Sequence, residues 1–487
     1  MDSSSSDKPP EILASNDSPP AKVSRPSAWL AWFGIVVTLG FALWPHGGAG
    51  GRLDVEESSI ILPEIQAKYL IGSASLSFTS KENQQVQIQM VFGQGPPRHR
   101  LIGVVLIGEL VGVNQAEKSL NDLDAQIQNG VMVATEHDQE VIGLLRKTFA
   151  ARRDKRDVDA DLSDVERPLC HRLFPQYLGW TGRLALLPPG TSNQFDRTTL
   201  LNQAFRTVFA ILGVCLLGLG AAICGIVLQL TWWTFAATGR LTSGIGPLRG
   251  NHVIYAETFA VWMALYLALS ILIAQRSLQT WGLIAIVIPQ IGGLAALAWP
   301  IVRGLRWSDV RDDLGLHFGP QGWTVPLVGG GAYLSAIPLV GVAMVVTLAM
   351  MQVASQFAGG GDSVATPMHP IVEPIIRGSW GVRMQLLFVA VFAAVPEEIM
   401  FRGVLYRHLR EAGARLGYVG RVAFATLISS FVFAVIHPQG LFGIPILMSV
   451  AVVFALVREW RGSVVPSMIT HALVNAGTTT ILLLIAD

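Results

Sequence analysis

Charge is the first thing this 487-residue chain has little of. Asp, Glu, Lys and Arg make up 14% of it, against 51% apolar residues, and mean hydropathy is +0.47. That composition excludes a string of ordinary soluble domains and fits a polytopic membrane protein with a soluble portion. Net charge is only +1, so no basic excess points to nucleic acid as a partner. Cysteine is as scarce: Cys170 stands alone in the polar region, and Cys215 and Cys224 share one apolar segment. No internal disulfide can form in the polar region, no Cys-x-x-Cys metal pattern exists, and the compartment is not readable from these residues. His-Glu-x-x-His is also missing, so spacing along the chain does not by itself demand a metal.

What is present falls into segments. Residues 1–26 are rich in Ser, Pro, Asp and Lys and carry too few apolar side chains to offset ordering entropy, which predicts a disordered tail. Residues 28–44 are apolar, with Trp29, Trp32 and Trp44 near the ends. No Ala-x-Ala cleavage site follows, so the segment reads as a signal anchor. Residues 46–204 are the one large polar region. Within it, 75–91 alternates polar and apolar residues (Val86, Ile88, Met90), a weak strand signal, and 120–148 has helical spacing in parts. The charge run 146–157 reads as a solvated face rather than a lipid-facing patch. No catalytic constellation appears in this region.

From Phe205 onward the chain is a series of apolar stretches: 205–230, 256–274, 281–302, 324–350, 384–404, 422–436, 441–457 and 464–485. With the anchor, the expected fold is an all-α polytopic membrane protein of about nine spans, with a soluble region of helical or mixed structure inserted after the first. On this reading 205–302 supplies accessory helices and 303–487 the core. With the N-terminus inside, inner loops carry Arg240 and Arg249, then Arg303, Arg306 and Arg311, then Arg402, Arg407, Arg410, Arg415 and Arg421, then Arg458 and Arg461. The short outer loops carry only Arg276, Arg377 and Arg383. That asymmetry predicts an integral protein of the cell membrane with 46–204 outside the cytoplasm.

The residues that could carry chemistry lie in the last third. Pro396-Glu397-Glu398 ends an apolar run, and ionisable groups in a membrane span are costly enough to suggest function. Glu398 and Arg402 are four apart on one helix face, in the favourable order for an ion pair. Glu397 is rotated by about 100° and free to face a cavity, where a carboxylate can take a proton from water. The ordinary alternative is a charged helix end in the headgroup layer. Phe433 and His437 are again four apart, so the ring can pack beside the imidazole, and so are His471 and Asn475 in the last stretch. Glu, His and His on three helices leave two mechanisms open. Water can be activated directly by the side chains, or a zinc ion held by Glu397, His437 and His471 can lower the pKa of its water. Pro396 is expected to kink its helix, and Gly329-Gly330-Gly331 and Gly292-Gly293 to allow close helix packing.

Glu397-Glu398-x-x-x-Arg402, Phe433-x-x-x-His437 and His471-x-x-x-Asn475 together resemble the signature of the CAAX-protease and bacteriocin-processing family of intramembrane proteases, which includes the type II CAAX prenyl endopeptidases. Phe401-Arg402-Gly403 matches as well, and 303–323, with Asp313-Leu314-Gly315-Leu316, resembles the basic connector before that family's core. The resemblance covers about 383–475. It implies that Glu397 activates water with help from Glu398 and His437, that His471 and Asn475 stabilise the oxyanion or hold the site, and that Arg402 acts through Glu398. It implies a peptide or lipidated protein as substrate, membrane lipid as a further partner, and either no cofactor or zinc, while the arginine asymmetry places the di-glutamate end of its helix toward the cytoplasmic face. Some members of the family act as scaffolds or immunity proteins, which is the alternative function. A transporter fits less well, because the polar residues cluster in one region with no inverted counterpart. Substrate identity and oligomeric state are not readable.

Overall fold

The computed structural model describes residues 25–43, 60–76, 80–156, 162–189, 194–274, 284–319, 322–357 and 372–486. The tail expected at 1–26 lies almost wholly outside them. Among the described residues all regular structure is helical. After α1 (Arg25–Leu43), the polar region folds as α2 (Ile61–Ala74), α3 (Lys81–Phe92), α4 (Pro97–Leu110), α5 (Val113–Gln128), α6 (Glu136–Arg153) and α7 (Glu166–Ala185). The strand expected within 75–91 is instead largely α3. Ser80 caps it by accepting from the Asn83 N–H, and its two buried side chains, Ile88 and Phe92, stand four apart on one helical face.

Helix α4 is the centre of this region. Its apolar residues pack with Phe92, Phe149, Phe174 and Trp180 in one core. Glu109 near its end takes two buried ion pairs, from Arg152 and Arg197, each at 2.7 Å. The charge run is therefore mixed. Arg146, Lys147 and Arg153 pair at the surface with Asp124, Glu166 and Glu117, while Arg152 turns inward. Leu200 and Ala204 belong to the same core, so the region is built onto the start of the next helix.

That helix, α8 (Gln194–Ala237), is 44 residues long. It is followed by α9 (His252–Ala274), α10 (Ile284–Gly293), α11 (Trp307–Leu314), α12 (Val325–Phe357), α13 (Trp380–Ala412), α14 (Gly417–Val435), α15 (Ile444–Arg461) and α16 (Val465–Ala486). Among the described residues seven helices are long and apolar enough to cross a membrane: α8, α9, α12, α13, α14, α15 and α16. Two of the nine expected spans are shorter apolar helices, at Ala28–Gly40 and Val287–Val302. The second begins beyond the undescribed residues 275–283 and is interrupted by Pro289 and a 3-10 turn at Leu294–Ala298.

The soluble region sits at the N-terminal end of α8. The arginine-rich loops gather beyond its C-terminal end, where Gly244 N–H donates to Glu459 O and Arg407 donates to Gly246 O. Small residues set the helix spacing. A Cβ on Gly329 would lie 2.6 Å from Ile469 of α16, and one on Gly293 would lie 3.0 Å from Trp262 of α9. At Gly225 of α8 it would meet the Leu334 carbonyl oxygen at 2.2 Å and Pro338 at 2.9 Å. Gly225→Ala is therefore expected to destabilise by about 1–3 kcal/mol, because backbone cannot yield and the overpacking outweighs the roughly 1 kcal/mol gain in helix propensity. Gly220→Ala, with nothing within 4 Å, is the control, and only its propensity gain should appear in thermal unfolding of the detergent-solubilised chain.

Candidate active site

The helix carrying the two glutamates does not stop at Pro396. It runs on to Ala412, with a π-helical stretch at Ile399–Leu405 directly after Glu398. Such wide turns accommodate an extra residue and are frequent at functional sites. The stretch is buried throughout, and Gly403 packs beside Leu314 of α11.

Glu398 and Arg402 have no exposed side-chain surface, and Arg402 Nη1 donates to Glu398 Oε1 at 2.8 Å. Arg402 Nη2 reaches Ala451 O on α15 at 3.2 Å. The guanidinium also lies 4.6 Å from the ring centroid of Phe433 and 4.9 Å from that of Phe454. Aromatic faces attract a desolvated guanidinium and share its charge. Glu398 Oε1 also accepts from His471 Nδ1 at 3.0 Å. The pair thus holds three helices together and fixes the His471 ring, which stacks on Phe454 at 4.8 Å.

With Nδ1–H committed to Glu398, His471 turns Nε2 toward Glu397, 3.8 Å from Oε2. His437 is arranged in the same way. Its Nδ1 donates to Phe433 O at 2.6 Å, Phe433 lies against its ring at 4.3 Å, and its Nε2 stands 3.8 Å from Glu397 Oε2. Both separations are too long for a direct hydrogen bond and leave room for a bridging water. Glu397 and His437 keep 13% and 18% of their side-chain surface exposed, so in this cluster Glu397 is the carboxylate that can meet a water molecule. Its other oxygen, Oε1, accepts from Gln290 Nε2 of α10 at 3.1 Å. Asn475 is occupied elsewhere: Nδ2 donates to Ala390 O at 2.7 Å and ties α16 to α13.

The structure therefore brings Glu397, Glu398, Arg402, Phe433, His437 and His471 together and places Asn475 one helical turn along α16, as a tie between helices. Sequence reading missed Gln290 and Phe454. A glutamine directly after Pro289 in an apolar stretch is a usable signal for the first. Nothing distinguishes Phe454 from its apolar neighbours.

The donor atoms are of types that zinc accepts. Around zinc with bonds of about 2.0–2.1 Å, neighbouring tetrahedral donors stand roughly 3.4 Å apart, and both separations here are 3.8 Å. Among the described residues no group of three or more His, Cys, Asp or Glu side chains is placed to hold a metal ion.

Helices long enough to cross a membrane, closed around a buried glutamate–histidine cluster, define the class: a polytopic helical membrane protein. Residues 379–477, which contain all of that cluster except Gln290, match the family model Rce1-like, type II CAAX prenyl endopeptidase Rce1-like. The chain carries an Rce1-like domain over those residues, which supports a CAAX-protease type of function in general terms. No curated protein and no solved structure gives a significant match.

Proposed function

We propose that this protein is an intramembrane endopeptidase that hydrolyses peptide bonds of membrane-associated or lipidated peptides with water activated by Glu397. One observation carries the reading. Two imidazole Nε2 atoms face the same Glu397 oxygen at 3.8 Å while both Nδ1 atoms are held elsewhere. A water in that gap donates one proton to Glu397 Oε2 and is steered by His437 Nε2. As its oxygen adds to the scissile carbonyl carbon, Glu397 takes the proton. His471, its ring oriented by Glu398 through Nδ1, faces the oxyanion as it forms. Collapse of the tetrahedral intermediate breaks the C–N bond, and Glu397 returns the proton to the leaving nitrogen. Gln290 holds Glu397 in place, and Arg402 acts only through Glu398.

The site opens toward the cytoplasmic side of the cell membrane on this reading. His471 is six residues into α16, about 9 Å from its start at the rise of a helix, and that start adjoins the arginine-rich loops. The soluble region, at the other end of α8, is then extracytoplasmic.

Incubation of the full-length protein in nanodiscs with a farnesylated CAAX peptide, and separately with an unlipidated membrane peptide, followed by mass spectrometry, tests the proposal. Release of a C-terminal fragment from either is expected. A folded, monodisperse sample that cleaves neither would favour the scaffold or immunity role. Because catalysis is assigned to side chains, activity is expected to persist within about twofold after exhaustive chelation, whereas a zinc-activated water contributes several kcal/mol. Loss on chelation with recovery on added zinc would reassign Glu397, His437 and His471 as ligands.

A further inference from the structure

At the arginine-rich end of the bundle, away from Glu397, the loop after α8, helix α11 and the ends of α13 and α15 enclose a cavity of about 340 Å³. Arg249, Asp312, Asp313, His317, Arg407 and Arg458 line it. Arg458 is 1% exposed. Its Nη2 donates to Asp313 O at 3.0 Å and its Nε to Arg402 O at 3.4 Å, both neutral carbonyls, and Nη1 is buried with no hydrogen-bond partner among the described residues. No carboxylate among the described residues is within ion-pair distance of it. A buried guanidinium without a counter-charge is costly.

The other charges of the cavity are already engaged. Asp313 accepts from Tyr255 Oη at 2.8 Å and from the Arg249 N–H at 3.2 Å, with Arg407 at 3.6 Å. Asp312 pairs with Arg249 at 3.0 Å. Arg407 and Arg249 have further partners just outside the lining, Glu411 at 3.7 Å and Asp309 at 3.5 Å, so among the described residues Arg458 is the guanidinium of this cavity without a paired carboxylate. Arg407, also 1% exposed, has an unpartnered Nε. His317 is pushed below the ordinary histidine range by burial and by Arg458, so at neutral pH it offers a ring N–H without adding charge. Gly315 is shaped to this arrangement. It ends α11 at φ 72°, and a Cβ there would lie 2.7 Å from Arg458 Nη1.

We infer that this cavity binds a phosphate group, with Arg458 and Arg407 as its principal donors and Arg249, 53% exposed at the rim, as its gate. Several donors converging from different helices suit an ion with several acceptor oxygens, and a guanidinium is the side chain best matched to phosphate. The cavity lies where α13 and α15 end and α9 begins, among the arginine-rich loops, so the phosphate is either free or the headgroup of an anionic lipid. The inference stands independently of the hydrolase reading.

Thermal unfolding of the full-length protein in detergent, titrated with inorganic phosphate and separately with dioctanoyl phosphatidic acid at matched ionic strength, tests it. Saturable stabilisation by phosphate identifies the free ion, and stabilisation by phosphatidic acid alone identifies a headgroup. In either case Arg458→Met is expected to abolish the response. Arg249→Glu, at the 53% exposed rim, is the second variant for the case that Arg458→Met does not fold, and is expected to weaken apparent affinity at least about tenfold. Absence of saturable stabilisation by both probes, or an unchanged affinity in Arg249→Glu, would overturn the assignment.

Discussion

Glu397→Gln is expected to lower kcat/KM for peptide cleavage by at least about a thousandfold while leaving the unfolding midpoint almost unchanged. Glutamine preserves the volume and can still accept from Gln290 Nε2 through Oε1. It cannot take a proton from water. Glu397 lies outside the buried Arg402 network, whose direct contact is with Glu398, so the fold has little reason to weaken. Asn475→Ala makes an informative contrast. It removes the 2.7 Å tie from α16 to Ala390, so its loss should appear in thermal stability first and in rate second. Peptide cleavage by Glu397→Gln within tenfold of the parent would reject Glu397 as the base. A cellular phenotype that survived Glu397→Gln and vanished on deletion of residues 46–204 would move the function to the soluble region.

Arg402→Met should cost about 3–5 kcal/mol of stability, the range for stranding one member of a buried ion pair. Glu398 would be left fully buried, with Oε2 already lacking a partner. His471 would remain as its one donor. Arg402→Lys should not rescue the protein. A lysine cannot bond Glu398 and Ala451 O together with planar stacking between Phe433 and Phe454. The double variant Glu398→Gln, Arg402→Met removes both charges and should recover part of the loss, since neutral replacements for a buried pair are often tolerated. Unfolding midpoints of the three variants and the parent form the test. An unchanged midpoint in Arg402→Met would mean that the pair is not holding the three helices.

The sequence was legible where chemistry and helical spacing coincide. Glu398 and Arg402 are four residues apart, and the structure pairs them at 2.8 Å. Phe433 and His437 share that spacing and lie against one another. The all-helical polytopic fold followed from long apolar runs, which have few physical alternatives. What could not be read was register between helices. Gln290 and Phe454 reach the site from α10 and α15, and no local pattern says which face of an apolar helix turns inward. The misread strand has a related cause. Val86, Ile88 and Met90 alternate, yet Met90 is exposed and the buried pair is Ile88 and Phe92. Two apolar residues four apart are a sparse helical signal, and the Ser80 cap is the stronger one. One expected span differs for a physical reason too: Pro289 and the 3-10 turn interrupt its apolar helix.

The length of α8 has a mechanical consequence. Forty-four residues of helix extend about 66 Å, against a hydrocarbon layer of about 30 Å. The excess stands out of the bilayer as a stalk whose far end is sealed into the soluble core through Leu200, Ala204 and Arg197. Its near half is bolted to α12, by Gln229 donating to Ser335 O and by the close approach at Gly225. Helix α12 is in turn held to α16 at Gly329 by Thr470, the residue before His471. A pull on the soluble region is thus a load on a rod, passed through α12 to the Thr470 hydroxyl, one residue from His471.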